Sequence, residues 1–357
     1  MEDETNKGCS MKKIMSFAAA AACGVMALAA CSSGGGTAPA EEEQSPTEET
    51  AGAEAESADP SGDSYVIGVS VLMDHPSLTA AVEGFKAALE ESGIDATINE
   101  QSANGDQSTA AAIAGTFKEG NVDLVLAVAT PSAQAAAQAI TDVPILFTAV
   151  TDPVDAGLVE TLEVPGGNVT GTTDANPVEE QLALIQEIVP DAKTVGIVYS
   201  PGEANSVVQV EWAKEAAQGL GLEIVESPAT TSQDVLQATE ALSDVDAIYI
   251  PTDNVVVSSL ETVLQVGESK QIPVFGAEGD TVERGAIGTY GLDYYKLGYQ
   301  TGLMAVEILE NGADPSTMAV ESLAEPSLYL NPPAAERMGV QISADLLEQA
   351  PPENIFE

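Results

Sequence analysis

Two stretches of this chain repeat one alternation of apolar runs and helix-spaced segments. That repetition limits the possible folds more than any other feature. In the first stretch Tyr65–Leu72 reads as a buried strand. Leu78–Ser92 then places Ala81, Phe85, Ala88 and Leu89 on one helical face. A weaker strand at Ala96–Glu100 and a helix at Gln107–Glu119 come next, then a strand at Val122–Val128, a helix at Ser132–Ile140 and a strand at Pro144–Val150. The second stretch has strands at Thr194–Tyr199, Glu223–Glu226, Ala247–Ile250 and Pro273–Ala277. Helices at Ala204–Leu220, Asp234–Leu242 and Val256–Glu268 lie between them. Residues repeat as well as pattern. Ile67-Gly68-Val69 is answered by Val195-Gly196-Ile197 at an offset of 128, and Val143-Pro144-Ile145 by Ile272-Pro273-Val274 at 129. Asp155-Ala156-Gly157 is answered by Glu283-Arg284-Gly285 at 128, and Val122-Asp123 by Val245-Asp246 at 123. Strands alternating with helices mean βαβ units and parallel sheets. Two copies mean two similar α/β lobes of the doubly wound, Rossmann-like kind.

Past Gly291 the pattern changes. Leu297–Leu309 is an amphipathic helix ended by Asn311-Gly312. Strand-like pieces follow at Met318–Leu323 and Ser327–Leu330, then a helix at Pro333–Met338. This tail is too small for a third domain. It must complete both lobes, so the chain is expected to cross between them more than once.

The N-terminus has another character. Lys12-Lys13 precede an Ala-rich apolar stretch from Ile14 to Ala27, which runs into Leu28-Ala29-Ala30-Cys31. A basic segment, a short apolar core and small residues before a cut describe a secretory signal over residues 1–30, with Met11 an alternative start. The Cys directly after Leu-Ala-Ala resembles the bacterial lipoprotein pattern, in which Cys31 becomes the lipid-carrying first residue of the mature chain. Residues 32–63 hold nine acids, no base and almost nothing to bury, so an acidic, disordered tether is expected there.

Composition narrows the function. Cys9 and Cys23 precede the expected cut, so no disulfide can form within the mature chain, which must be held by its core. A single cysteine and one histidine, His75, leave no ordinary zinc set and only one candidate for a histidine-based triad. From residue 64 onward there are 45 acids against 8 bases, which argues against nucleic acid and against adhesion to anionic lipid. No metal, cofactor or catalytic residue is expected. The 15 aromatic residues are few for a sugar site, which usually stacks them.

In a parallel sheet the ligand crevice lies beyond the carboxyl ends of the strands. Those positions are polar in both halves: Asp74-His75-Pro76-Ser77, Thr130-Pro131-Ser132 and Thr148-Ala149-Val150-Thr151-Asp152, then Ser200–Asn205, Thr252-Asp253-Asn254 and Ala277–Asp280. Several open directly into helices, whose free N–H groups favour an anion. Ser77 and Ser132 are candidates for that anion site, or simply helix caps. Glu203, Asp253, Glu278 and Asp293 are acids at or near strand ends, suited to an ammonium group. Hydroxyl donors facing carboxylates suggest a zwitterion, an amino acid.

Several long segments carry a resemblance: Gly68–Leu78, Phe147–Pro153, Gly196–Ser206, Ile250–Asn254 and Leu292–Gly302. From about Tyr65 to Gln349 the chain resembles the ABC-transporter substrate-binding lipoproteins related to tryptophan/tyrosine-binding proteins. The resemblance implies a type I periplasmic-binding fold, with two Rossmann-like lobes joined by a three-strand hinge that closes on a small solute. It also implies delivery to a membrane permease driven by an ATPase, with no enzymatic activity. By matched motifs Ser77, Thr130, Ser132, Thr148, Thr151 and Asp152 would line the first lobe, and Asn205, Asp253, Asn254 and Glu278 the second. Thr172 and Asp293 would sit near the crossings. The lobes are expected over residues 64–173 with 292–322, and 174–291 with 323–357; a monomer anchored outside the cytoplasm through Cys31 is expected. The alternatives are a sensory lipoprotein reporting to a membrane receptor and an extracellular hydrolase using crevice carboxylates. Cys31→Ser is expected to leave ligand affinity unchanged while moving the protein out of the membrane fraction; a loss of affinity in the same titration would contradict a purely anchoring role.

Overall fold

The structure is a computed structural model that describes residues 64–323 and 325–357. The signal segment, Cys31 and the acidic stretch lie outside the described residues. The first half runs β1 (Tyr65–Val71), α1 (Pro76–Glu91), β2 (Ala96–Ser102), α2 (Gln107–Glu119), β3 (Leu124–Val128), α3 (Thr130–Ala139), β4 (Ile145–Val150) and β5 (Val169–Thr173). The second runs α4 (Val178–Ile188), β6 (Thr194–Tyr199), α5 (Ala204–Leu220), β7 (Glu223–Pro228), α6 (Val235–Ala241), β8 (Ala247–Ile250), α7 (Asn254–Val257), α8 (Leu260–Lys270), β9 (Val274–Gly276), α9 (Gly279–Glu283) and β10 (Gly288–Gly291). The tail adds α10 (Tyr294–Asn311), β11 (Glu321–Ser322), β12 (Ser327–Leu330), α11 (Pro332–Arg337) and α12 (Ala344–Leu347).

These strands form two parallel sheets, as the two-lobed α/β reading requires. One has the order β11-β5-β4-β3-β1-β2 and the other β7-β6-β8-β9; β10 and β12 make a separate antiparallel pair. Alternation along the buried strands divides the first lobe's core. Ile67, Val69, Leu124 and Leu126 face Phe85, Leu89, Leu297 and Met304 of α1 and α10. Val125, Ala127, Ile145 and Phe147 face Phe117, Ala133 and Ala136 of α2 and α3. The second sheet has one core, with Ile197, Ile248 and Phe275 against Leu182, Val210 and Leu264. Among the described residues no helix is long and apolar enough to cross a membrane.

The internal repeat extends to individual bonds. Asp123 Oδ2 accepts from Val66 N at 2.7 Å and ties the start of β3 to β1. Asp246 Oδ2 accepts from Lys193 N and Thr194 N at 2.8 and 2.9 Å and does the same for β8 and β6. The carbonyls of Pro144 and Pro273 accept from Val125 N and Ile248 N at 3.0 and 2.8 Å. Gly68 and Gly196 each leave room for a helix side chain. A methyl at Gly68 would lie 2.8 Å from the Phe117 ring, and one at Gly196 2.7 Å from Leu242.

The chain passes between the sheets after β5, after β10 and after β11. On its return, α10 packs so closely on α1 that a side chain at Gly298 would strike the Ala81 carbonyl, and one at Gly84 the Tyr295 carbonyl. Some elements differ from the sequence reading. β5 and α4 were not anticipated: β5 reads Val-Thr-Gly-Thr-Thr, with no apolar run, yet every residue is buried between β4 and β11. The helix expected over Val256–Glu268 is two helices, broken at Ser258-Ser259, where the Ser258 hydroxyl donates to the Val255 carbonyl at 2.8 Å. The strand expected over Met318–Leu323 narrows to Glu321–Ser322, the two residues that pair with Thr172 and Thr173.

Gly68→Ala is expected to lower unfolding free energy by about 1–3 kcal/mol, because the buried Phe117 ring cannot yield without disturbing β1. Gly196→Ala is expected to cost less, since the flexible end of Leu242 can move. Urea unfolding of the two variants tests that order.

Candidate functional site

The carboxyl ends of β1, β3, β4 and β5 face those of β6, β8 and β9, and the loops there meet across a closed crevice. Four hydrogen bonds span it. His75 Nε2 lies 3.2 Å from Asn254 Oδ1, and the Thr151 and Thr252 hydroxyls are 3.3 Å apart. Ser77 Oγ donates to Glu278 Oε2 in a very short bond. At the rim Gln107 Nε2 donates to the Gly202 carbonyl at 3.1 Å.

On the first lobe, helix starts set the chemistry. Neither Ser77 nor Ser132 caps its helix: the cap positions are His75 and Ala129, and neither makes a side-chain cap bond. Ala129 is held at φ 76°, a left-handed conformation unusual for alanine that turns the chain from β3 into α3. The hydroxyls of Thr130 and Ser132 just beyond it are buried without a hydrogen-bond partner among the described residues. Together with the N–H groups of the helix start they are donors of the kind an anionic group accepts from.

The second lobe contributes acids, and most of them are already engaged. Asp253 accepts from Ser200 N at 2.5 Å and from Val256 N at 2.8 Å, where it caps α7. Glu203 accepts from Asn205 Nδ2 at 3.1 Å, Asn254 Nδ2 at 2.5 Å and Val255 N at 3.3 Å. Both were read from sequence as partners for a ligand ammonium, and both instead serve protein donors. Asp293 caps α10 through Lys296 N at 3.1 Å and pairs with the Lys296 ammonium at 2.9 Å, at the surface. Glu278 remains at the crevice. Asp174, from the first crossing, joins it; its oxygens accept from Thr151 Oγ1 at 2.9 Å and Tyr294 OH at 2.7 Å.

Other expected residues have local duties. Asp152 Oδ1 accepts from Val154 N and Asp155 N at 3.1 and 2.9 Å, closing its own turn. Thr148 and Thr172 bond each other at 3.1 Å, and Thr172 meets Thr301 of α10 at 2.7 Å, so these hydroxyls join β4, β5 and α10. The structure therefore brings together Ser77, Thr130, Ser132, Thr151, Asn205, Asn254 and Glu278, with Asp253 behind them. It adds His75, Asp174, Thr252 and Tyr294. The loops of His75 and Thr252 were legible as polar strand ends, whereas Asp174 and Tyr294 lie outside them, and no spacing singled any of the four out. A surface hollow of about 550 Å³ runs along α10 between Tyr299, Leu303 and Met318, away from all of these residues. The convergence of buried polar groups, not that hollow, marks the site.

Burial dominates the electrostatics. It pushes Glu278 up to about 8 against the opposing bond from Ser77. Burial and the adjacent Asp253 push Glu203 up to about 7. Asp174 and Asp253 are also raised by burial. Burial takes His75 down to about 4, so the ring is neutral at physiological pH.

A family model for the ABC transporter substrate binding proteins matches residues 66–353. A tyrosine-binding protein of Clostridioides difficile is 41% identical over 285 residues, covering 78% of this chain and 82% of that one. The crystal structure of an ABC domain in complex with L-Trp from Streptococcus pneumoniae is 34% identical, with a TM-score of 0.78 over 80% of this chain and 98% of that one. A ligand-free, open substrate-binding protein with adhesive properties from C. difficile is 42% identical, with a TM-score of 0.62 over 82% and 98%.

The raised acids predict a pH dependence. Glu278 and Glu203 hold protons in the folded state that the unfolded chain has released above its ordinary value of 4.5, so their contribution to stability falls as pH rises through about 7 and 8. His75 works the other way, between about 4 and its unfolded 6.5. Ligand-free protein should therefore lose thermal stability between pH 6.5 and 8.5, and Glu278→Gln should flatten the curve; a rising midpoint over that interval would contradict the assignment.

Proposed function

This chain belongs to the ABC transporter substrate-binding protein family, and on that premise we propose that it captures an aromatic amino acid between its lobes and hands it to a membrane permease. The family is one of solute-binding proteins, not enzymes. The observation that carries the ligand class is that donors without acceptors and acids without a base occur in one crevice. Thr130 and Ser132 hydroxyls lie buried at the start of α3 without partners among the described residues. Glu278 and Asp174 lie buried with no ion pair to a base among the described residues. The α-carboxylate of a zwitterion suits the first set and its ammonium the second.

The tyrosine-binding relative and the tryptophan-bound neighbour support an aromatic side chain. The ligand then closes the lobes by binding the closed form better than the open one. Overall likeness supports that motion. The chain is closer in shape to the tryptophan complex than to the more nearly identical open, ligand-free protein. The hinge lies at the three crossings, near 172–176, 290–293 and 321–328, with lobes 64–173 plus 292–322 and 174–291 plus 323–357. Cys31 anchors the chain outside the cytoplasm within reach of the permease.

Mass spectrometry of ligand released from purified protein, followed by calorimetry with the amino acids, tests this reading. Tight binding of L-tyrosine or L-tryptophan is expected, weakened at least about tenfold in Glu278→Ala, consistent with loss of a buried charge-assisted bond. Binding of a sugar or purine with no amino acid bound would sink it.

A further inference from the structure

Glu203 is buried behind the crevice, yet its contacts bear on the polarity of the wall in front of it. Asn205 Nδ2 donates to Glu203 Oε2 at 3.1 Å and to the Thr252 carbonyl at 2.8 Å. Reversing that amide would turn its oxygen onto two acceptors. Asn205 Oδ1 therefore faces away from both, and it is buried without a partner among the described residues.

Asn254 is oriented the same way. Its Nδ2 and backbone N donate to Glu203 Oε2 at 2.5 and 3.3 Å, so the atom turned toward His75 is Oδ1, 3.2 Å from Nε2. An amide oxygen only accepts. Nε2 must then carry the imidazole proton, which leaves Nδ1 a lone-pair acceptor, buried and unpartnered among the described residues. We propose that Glu203 is a positioning residue: its carboxylate fixes the Asn205 and Asn254 amides, and through Asn254 the His75 tautomer, so that Asn205 Oδ1 and His75 Nδ1 are presented as acceptors to a ligand N–H group. The last step rests on the amine-ligand reading above; the amide and tautomer assignments rest on geometry alone. The charged and titratable groups around the relay are Asp253 beside Glu203, and Asp74 and Arg284 near His75.

His75 is the only histidine in the chain, so ¹⁵N NMR of tag-free protein reads its tautomer without ambiguity. The spectrum is recorded with no added ligand and again with L-tryptophan. The wild type should show the Nε2–H form. Glu203→Ala should move the tautomer ratio toward Nδ1–H by about fivefold, the net worth of one hydrogen bond. Glu203→Gln retains an oxygen toward both asparagines and should keep the Nε2–H form. Should Glu203→Ala fail to fold, the pH response decides. The wild-type ¹⁵N shifts should step near the Glu203 value of about 7, well above the ring's own value of about 4, and Glu203→Gln should abolish that step. An unchanged ratio in Glu203→Ala, a step that persists in Glu203→Gln, or a wild-type ring with both tautomers populated overturns the proposal. L-tryptophan that fails to bind while the tautomer follows Glu203 removes the ligand reading and leaves the relay standing.

Discussion

Asp174, Glu203, Asp253 and Glu278 are withdrawn from water, and none forms an ion pair with a base among the described residues. A buried carboxylate must find hydrogen-bond donors, keep its proton or wait for a cation. The first two responses are visible here, and they divide these acids by how many donors each has found. Asp253 and Glu203 are surrounded by backbone and amide N–H groups. Glu278 has one hydroxyl and a strongly raised value. The acids already supplied with donors shape the crevice; the undersupplied one is where a cationic group gains most.

The crevice exists because two copies of one unit face each other. Each copy uses the same devices to stay together: an aspartate tying two strand starts, a proline carbonyl joining two neighbouring strands, and a glycine admitting a helix side chain. These devices lie within the sheets or at strand starts. The strand ends are free to differ, so one lobe carries hydroxyls and the other amides and acids. The fold brings complementary sets together; α10 packs on α1 through glycines, and its Tyr294 hydroxyl, bonded to Asp174, ties the first crossing to the second.

Much of the site was legible as a location. Parallel strands announce where ligands bind, and the polar loops at their ends name the neighbourhood. The role of each residue was not legible. Asp253, Asp152 and Asp293 look alike in sequence, yet all three cap or close a turn of their own, Asp253 also holding Ser200 N, while Asp174 in a weakly patterned crossing joins the crevice. Ser77 and Ser132 have the type and place of helix caps, yet neither is one. His75 has no sequence neighbour that would orient it, because its partner Asn254 lies 179 positions away.

The amino-acid sequence by itself determined the repeated α/β architecture, since apolar period and turn residues act over neighbouring positions and the same pattern occurs twice. It also determined which strand ends are polar. β5 escaped because its burial comes from strands on either side, not from its own side chains. Only the tertiary structure decided which buried acids are satisfied and which are waiting. A hydrogen-bond partner can come from anywhere in the chain, and whether a carboxylate is a cap, a support or a ligand depends on what the fold brings within about 3 Å of it.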